Sequence, residues 1–197
     1  MRCFTCNRLS FDAICKECQK EYLKLDITKK ELANFEVFSL FEYNEIVEIV
    51  HSKYLQVGRR VYKYLAKKYF KPFLEKYKHN IYCDTLYLVA VDENVTRGYS
   101  NVAILTEYAS NKKDIKALHG ALKAKNRVKY AGKSLEFRLN HSRNFVYNGP
   151  KNIDAVLIDD IITTGTTLKE AYEVLNKSGV NIHFALTLAY VKDGIDD

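Results

Sequence analysis

The chain has 197 residues, of which 47% are hydrophobic, and it carries a formal net charge of +7 with a pI near 9.0. This length and apolar content suffice for one sizeable α/β core plus a small module, and they exclude a disordered chain. No apolar run approaches the roughly 20 residues that cross a bilayer, and no targeting sequence is evident. We therefore expect a cytoplasmic protein whose partners are acidic, namely nucleic acid, a membrane surface or phosphorylated small molecules.

Four cysteines stand near the N-terminus as two pairs, Cys3 with Cys6 and Cys15 with Cys18. Two intervening residues let both thiolates of a pair face one ion, and four such ligands complete the tetrahedral shell of a structural zinc site. Two disulfides or redox-active thiols are the alternatives. We expect zinc, with residues 1–24 forming a zinc-binding module that precedes an α/β domain at residues 25–197.

The segment after the cysteines predicts a strand and then a long helix. Residues 36–43 alternate enough apolar side chains for a first strand, and residues 45–77 read as helical, with breaks near Gly58 and Pro72. Lysines and aromatic residues are interleaved along this helix between Lys53 and Lys78. They indicate either a surface that stacks bases and neutralises phosphates or an ordinary amphipathic helix with lysines on its solvated face.

The middle of the chain predicts one more strand and one more helix. Residues 84–91 read as a buried strand, and Cys83, just before it, is expected to be a small buried apolar side chain. A helix is expected over residues 101–108. Residues 111–152 are polar and lysine-rich, which is typical either of a segment that closes over a ligand site or of a surface insertion.

The densest signal is the run from Val156 to Thr167. Residues 155–158 predict a strand buried on both faces, and the chemistry is expected at its C-terminal end, where Asp159 and Asp160 follow. The next loop surrounds one glycine with four threonines, before a helix at residues 168–178 and a strand at residues 182–190. The loop residues are Thr163, Thr164, Gly165, Thr166 and Thr167.

These residue types fit the two ends of a sugar phosphate. Adjacent carboxylates accept hydrogen bonds from vicinal hydroxyls or face a hard cation such as magnesium. A hydroxyl-rich loop that leads into a helix N-terminus binds a phosphate. Together they predict a ribose 5-phosphate site, and the alternation of strands and helices predicts a parallel α/β sheet flanked by helices.

The run from Val156 to Thr167 resembles the phosphoribosyl-pyrophosphate signature of the type I phosphoribosyltransferase fold, in which four hydrophobic positions precede two acids and a threonine–glycine loop. The resemblance implies that Asp159 and Asp160 contact ribose hydroxyls and that residues 163–167 hold the 5-phosphate. It further implies that Arg97 approaches the pyrophosphate, with magnesium bridging the diphosphate and the ribose.

The whole chain resembles the ComF family, competence-associated proteins that join a four-cysteine zinc module to a phosphoribosyltransferase-like domain. Residues 51–54 with Gly58 resemble its His-x-Lys-Tyr segment, and residues 97–101 resemble its Arg-Gly-Phe-Asn turn. Arg138 and Asn144 loosely match a further basic segment. The resemblance implies an accessory role in natural transformation, with single-stranded DNA and other DNA-uptake proteins as partners at or near the inner membrane.

One segment departs from the phosphoribosyltransferase pattern. Where related proteins carry a basic, proline-bearing pyrophosphate loop, this chain has Asp92 and Glu93 after the second predicted strand. A transferase must stabilise a departing diphosphate, so whether the protein is an enzyme stays open. The two hypotheses are a DNA-uptake accessory protein that binds phosphoribosyl pyrophosphate, and a metabolic phosphoribosyltransferase acting on a nucleobase or related acceptor.

Overall fold

A computed structural model describes residues 1–32, 34–91, 95, 98–126 and 142–192. Its centre is a sheet of six strands, which are β1 (Thr28–Leu32), β2 (Phe35–Glu42), β3 (Leu86–Ala90), β4 (Ile115–Leu118), β7 (Ile153–Ile162) and β8 (Val180–Tyr190). Their order in the sheet is β1-β2-β8-β7-β3-β4, in which β1 pairs antiparallel with β2 and the other neighbours pair in parallel.

Helices cover both faces of this sheet. One face packs against α2 (Tyr43–His51), α3 (Gly58–Leu65), α4 (Lys71–Lys78) and α5 (Asn101–Ala109). The other face packs against α6 (Thr166–Lys177) and a two-stranded antiparallel hairpin of β5 (Leu122–Ala124) and β6 (Phe145–Tyr147). The predicted fold class, a mostly parallel α/β sheet flanked by helices, is confirmed.

The central strand β7 shows how the sequence builds the two layers. Val156 and Ile158 belong to the core on the α2–α5 side, whereas Ala155 and Leu157 belong to the core on the α6 side. Successive side chains of a strand point to opposite faces, and all four of these residues are fully buried. A strand covered on both faces must therefore be apolar at every position, as this run is.

The long helix predicted for residues 45–77 is interrupted at only one of its two expected breaks. A 3-10 turn at Ser52–Tyr54 separates α2 from α3 near Gly58, as predicted. Near Pro72 the prediction is wrong, because the chain stays helical from α3 through a π-helical turn at Ala66–Phe70 into α4. Pro72 is the second residue of α4, directly after the π-helical turn, so its missing N–H removes one hydrogen bond from a helix that continues past it.

Four aromatic side chains of this helical stretch are buried. Tyr62 and Phe70 are fully buried, and Tyr69 and Phe73 are nearly so. Buried rings cannot stack on bases, so these four belong to the amphipathic-helix interpretation, in which the lysines occupy the solvated face. Tyr54 is 47% exposed, and Tyr64 and Tyr77 are partly exposed.

The polar segment at residues 111–152 contains more regular structure than its sequence indicates. Its first part supplies β4, an edge strand of the main sheet that pairs with β3, and the β5–β6 hairpin follows. Residues 127–141, between those two hairpin strands, lie outside the described part of the chain. The expectation of a closing segment falls on them and stays a prediction.

The N-terminal cysteine region packs into the main core. It contains α1 (Lys16–Tyr22), and Ile14, Cys18 and Leu23 join the same buried cluster as residues of β2, α3 and α5. Polar contacts add to this packing, since the guanidinium of Arg60 donates to the carbonyl of Arg2 at 2.7 Å. Among the described residues, no helix is long and apolar enough to cross a membrane.

Candidate functional site

The two acids of the signature lie inside strand β7 and not after it, because this strand runs on to Ile162. The expectation that the strand ends at Ile158 is wrong. Side chains alternate along a strand, so Asp160 shares the face of Val156 and Ile158, and Asp159 has the opposite face. Each acid therefore meets a different set of elements.

Asp160 is held by two donors from the α2–α5 side. The ammonium of Lys53 donates to its Oδ2 at 2.8 Å, and the amide Nδ2 of Asn101 donates to the same oxygen at 2.7 Å. The side chains of Lys53 and Asp160 are only 17% and 14% exposed. Desolvation acts to lower the pKa of Lys53. The charge and hydrogen bond of the Asp160 carboxylate outweigh that effect, so the pKa of Lys53 is raised.

The turn that carries Lys53 is fixed by Tyr99. The hydroxyl of Tyr99 lies 2.9 Å from the carbonyl oxygens of Lys53 and Leu55 and 3.4 Å from that of Ser52. Gly58 makes this approach possible, since a Cβ there would collide with the Ser52 carbonyl and with the Tyr99 hydroxyl. The two segments that resemble ComF motifs thus meet each other and meet Asp160.

Asp159 occupies a different electrostatic setting. Burial, reinforced by the negative charge of Asp160, raises its pKa well above the ordinary value, while Arg143 and Lys53 act in the opposite direction. The backbone N–H of Asp160 donates to its Oδ1 at 2.8 Å. A carboxyl with a raised pKa near a cavity is often functional, and ionised Asp159 would accept hydrogen bonds from hydroxyls.

Arg143 is brought to the same cavity by helix α6. The carboxylate of Glu170, on α6, accepts hydrogen bonds from the backbone N–H groups of Arg143 and Asn144, at 3.1 and 2.7 Å, and from the hydroxyl of Ser142. This fixes the backbone immediately before β6. Sequence analysis did not select Arg143, because its role depends on a helix that begins more than twenty residues later.

The threonine–glycine loop ends in a helix N-terminus, as predicted. Gly165 is the residue before α6 and has φ +80°, in the left-handed region. Because glycine has no Cβ, the side chain of Leu32 can also pack against Gly165, where a Cβ would lie only 2.5 Å from Cδ1 of Leu32. The first N–H groups of a helix have no partner within it, and together with the helix dipole they favour an anion.

The loop hydroxyls lie beside that helix end. The hydroxyl oxygens of Thr164 and Thr166 are 3.0 Å apart, and the backbone N–H of Thr166 lies 3.5 Å from Oγ1 of Thr164. Neither Asp nor Glu occupies the first turn of α6. The loop therefore offers hydroxyl and N–H donors to an incoming anion, without a carboxylate on the helix end that would compete for them.

One cavity of about 290 Å³ gathers these groups. This is near the lower end of the roughly 300–1,000 Å³ that small-molecule sites occupy. The structure thus brings together all the predicted site residues of β7 and the loop and adds Asn101 and Arg143. Arg97 lies outside the described residues, as do Asp92 and Glu93, so their roles stay predictions. The cavity is lined by Val91, Asn101, Val102, Arg143 and residues 159–168.

The four N-terminal cysteines form a compact cluster. Their Sγ atoms all lie within 4.8 Å of one another, and those of Cys6 and Cys15 are 3.7 Å apart. A tetrahedral site with Zn–S bonds of about 2.3 Å has S–S edges of about 3.8 Å, so the donor set fits zinc. The backbone of Arg8 hydrogen-bonds to Cys6 and lowers the pKa of that thiol to about 6.

Exposed cations lie along α1, along the α3–α4 helical stretch and just after α1 and α5, and we call this surface the basic face. Two grooves border the α3–α4 stretch, one shared with α1 and one with α5. Tyr108 lines the second groove, and the ammonium groups of Lys63 and Lys67 lie 4.7 and 5.7 Å from the centre of its ring. The basic face consists of Lys16, Lys20, Lys24, Arg59, Lys63, Lys67, Lys68, Lys71 and Lys112.

No family model and no curated protein matches this chain. Among solved structures it is similar to a hypoxanthine phosphoribosyltransferase from Staphylococcus aureus, with 17% identity and a TM-score of 0.40 over 65% of this chain and 64% of that one. It is also similar to an orotate phosphoribosyltransferase from Aeropyrum pernix, with 16% identity and a TM-score of 0.38 over 88% of this chain and 80% of that one. The matched region spans less than two thirds of the Staphylococcus enzyme. At these values the likeness says nothing about what this chain binds.

Proposed function

We propose that the cavity at the end of β7 binds the ribose 5-phosphate part of phosphoribosyl pyrophosphate. One observation carries this proposal: two acids and a phosphate-type loop at a helix N-terminus line the same cavity. Asp159 and Asp160 would accept hydrogen bonds from the ribose hydroxyls. Thr163, Thr164, Gly165, Thr166 and Thr167 would hold the 5-phosphate, and Arg97 is proposed to approach the pyrophosphate.

Calorimetric titration tests this site directly. We expect both ribose 5-phosphate and phosphoribosyl pyrophosphate to bind at a ratio of one per chain, and ribose without phosphate to bind at least tenfold more weakly, since charge-assisted hydrogen bonds are the strong ones. Asp159→Ala should weaken both ligands, whereas Asp84→Ala, an exposed acid outside the cavity, should not. Equal heats for the two variants would contradict the proposed site.

Magnesium is proposed to accompany the diphosphate ligand. Phosphate and hydroxyl oxygens are hard ligands of the kind this ion prefers, and the diphosphate and ribose of the ligand itself supply them. The ion would neutralise charge between the ligand's diphosphate and its ribose hydroxyls.

Zinc is proposed for the cluster of Cys3, Cys6, Cys15 and Cys18. The support is the close arrangement of the four Sγ atoms and the fit of the Cys6–Cys15 separation to a tetrahedral edge. Four protein ligands leave no open position, so the ion would be structural. Residues 1–24 would then be a zinc module joined to the α/β domain of residues 25–197. The two parts share a buried core.

Single-stranded DNA is the proposed macromolecular partner, with the basic face as support. Along the α3–α4 stretch, Arg59, Lys63, Lys67 and Lys71 recur every four residues, about 6 Å apart along a helix axis, which suits a row of phosphates. The resemblance to ComF proteins then favours a cytoplasmic accessory role in natural transformation, beside other DNA-uptake proteins.

Salt-dependent binding tests the DNA proposal. The double variant Lys63→Gln/Lys67→Gln should bind an oligonucleotide more weakly and should lower the slope of log affinity against log salt by about 0.7 for each phosphate that the variant no longer neutralises. Lys177→Gln, which removes a charge at an exposed position of α6, serves as the control. Identical salt slopes for wild type and double variant would place DNA elsewhere or exclude it.

A metabolic phosphoribosyltransferase is the second candidate function, and the ribose-phosphate type of cavity is what favours it. This candidate requires turnover, which the binding proposal does not. Labelled phosphoribosyl pyrophosphate and magnesium would be incubated with a panel of nucleobases while pyrophosphate release is measured. Release above that of the Asp159→Ala variant would establish transfer, and its absence across the panel would leave a binding protein.

A further inference from the structure

We propose that Lys53 is a positioning residue that supplies, from behind the cavity wall, the positive charge which lets Asp159 and Asp160 bind ribose hydroxyls without a divalent cation between them. This inference rests on the proposed ribose-phosphate site. It separates two parts of one ligand: the ribose 5-phosphate part would bind in the absence of magnesium, and only the diphosphate would need the ion.

The first support is the position of Lys53 relative to the cavity. Asp160 and Asn101 line the cavity, whereas Lys53 reaches Asp160 from the turn after α2, on the far side of the carboxylate. Both Lys53 and Asn101 donate to Oδ2. In the described part of the chain Oδ1 of Asp160 has no protein donor, so one carboxylate oxygen is anchored and the other is available to a ligand.

The second support is that several interactions hold the turn that carries Lys53 in one position. Tyr99 reaches three carbonyl oxygens of residues 52–55, and Gly58 leaves the space that this approach needs. The Lys53 side chain is 17% exposed. A lysine that only solubilised the surface would need none of these interactions, and an ordered ammonium loses less rotamer freedom when it binds its partner.

The third support is the charge balance around the acids. Asp159 and Asp160 are neighbours in one strand, and two adjacent carboxylates resist joint ionisation. Among the described residues, the titratable groups that face them are Lys53 from the turn after α2, Arg143 from the segment before β6, and the phenols of Tyr43 and Tyr62 from α2 and α3. Lys53 contacts Asp160 directly and also favours ionised Asp159. A divalent ion at the same two acids would only add positive charge that Lys53 already supplies.

The ligand experiment compares wild type with Lys53→Met, which keeps the length of the side chain and removes its charge. Ribose 5-phosphate is titrated into each protein in EDTA and in magnesium. Wild type should bind equally in both, within about twofold. Lys53→Met should bind about tenfold or more weakly in EDTA, because Asp160 would lose the charge-assisted hydrogen bond that orients its carboxylate, and should recover part of this affinity in magnesium. The affinity of Lys53→Arg should stay close to that of wild type. Lys177→Met, at a position away from the cavity, is the control.

A ligand-free measurement separates this inference from the proposed site. Carboxyl ¹³C chemical shifts of Asp159, followed against pH by NMR, should show a midpoint that rises in Lys53→Met, since the charge of Lys53 acts to lower the pKa of Asp159. If wild type does not bind ribose 5-phosphate, the site proposal is wrong, and the NMR comparison still decides the role of Lys53. An unmoved Asp159 midpoint, wild-type binding that requires magnesium, or full affinity of Lys53→Met in EDTA would each overturn the inference.

If Lys53→Met does not fold, Lys53→Arg is compared with wild type by NMR. Because this variant keeps the charge, it should leave the Asp159 midpoint in place. A displaced midpoint would count against the inference.

Discussion

The ammonium of Lys53 lies 2.8 Å from Oδ2 of Asp160, and this ion pair joins two residues that are 107 positions apart in the chain. It links the turn after α2 to the central strand at the point where the strand meets the cavity. Asn101 donates to the same oxygen from the first turn of α5. Three elements therefore converge on one carboxylate, and its orientation depends on all of them.

Gly58→Ala should loosen the Lys53 turn. The new Cβ would collide with the carbonyl of Ser52 and the hydroxyl of Tyr99, and backbone groups cannot move away as a flexible side chain can. We expect the free energy of unfolding to fall by about 2 kcal/mol, which is typical of overpacking, and ligand affinity to fall with it. Chemical denaturation measures the first effect. Lys63→Ala, at an exposed position of the same helix, should stay near wild type, and a fully stable Gly58→Ala would contradict the packing described.

Gly165→Ala should damage the phosphate loop for two separable reasons. The left-handed φ of +80° costs a residue with a Cβ about 1–2 kcal/mol, and that Cβ would lie 2.5 Å from Leu32. The double variant Leu32→Ala/Gly165→Ala removes the collision and keeps the backbone strain. We expect the double variant to lose less stability than the sum of the losses of Leu32→Ala and Gly165→Ala. A double-mutant cycle of thermal denaturation measures this difference. Strict additivity would exclude the Leu32 collision.

Asp159→Asn should stabilise the folded protein at neutral pH. The folded-state pKa of Asp159 is raised, whereas an unfolded Asp titrates near about 3.9. Between those values the folded state binds more protons than the unfolded one, so stability falls as the pH rises through this window. The amide has no charge to bury, and the variant should therefore gain stability over wild type at pH 8 and lose that gain at pH 3.

Denaturation curves of Asp159→Asn and wild type at the two pH values measure this difference. Asp84→Asn, a change at an exposed acid, should show no such pH-dependent gain. The same titration affects binding: because ionised Asp159 accepts the ligand hydroxyls, wild-type affinity should decrease as the pH falls through its raised pKa. Equal stability of Asp159→Asn and wild type at both pH values would contradict the raised pKa of Asp159.

Cys15→Ser should destabilise more than the N-terminal segment. Cys15 is buried in the four-cysteine cluster, and that cluster shares its core with Leu65 and Phe70 of the adjoining helical stretch. Loss of one thiolate should remove bound zinc, measured by metal analysis, and lower the melting temperature of the whole protein. Cys83→Ser lies outside the cluster and should retain zinc. A Cys15→Ser protein with full zinc content would refute the proposed ligand set.

The sequence predicts well those parts of the molecule that depend on local patterns. The apolar run at residues 155–158 predicts a strand covered on both faces, and Gly165 with its threonines predicts the turn into α6. The pairing of Cys3–Cys6 with Cys15–Cys18 predicts one compact cluster. In each case the physical cause lies within a few neighbouring residues.

Other features depend on interactions between distant segments and were missed. Strand β7 continues through both acids because β8 keeps pairing with it, as Asp159 opposite Thr187 shows. Polar side chains end the apolar pattern there but do not end the backbone pairing. The role of Lys53 has the same origin, since nothing in its neighbourhood in sequence indicates Asp160 as its partner.

A crystal structure with ribose 5-phosphate bound tests the central claim most directly. We predict that the phosphate lies at the N-terminus of α6, within hydrogen-bond distance of the backbone N–H groups of residues 165–167. The ribose hydroxyls should contact Asp159 and Oδ1 of Asp160, while the ion pair between Lys53 and Oδ2 is kept. A phosphate bound on the basic face, with the cavity beside β7 empty, would contradict the proposed site.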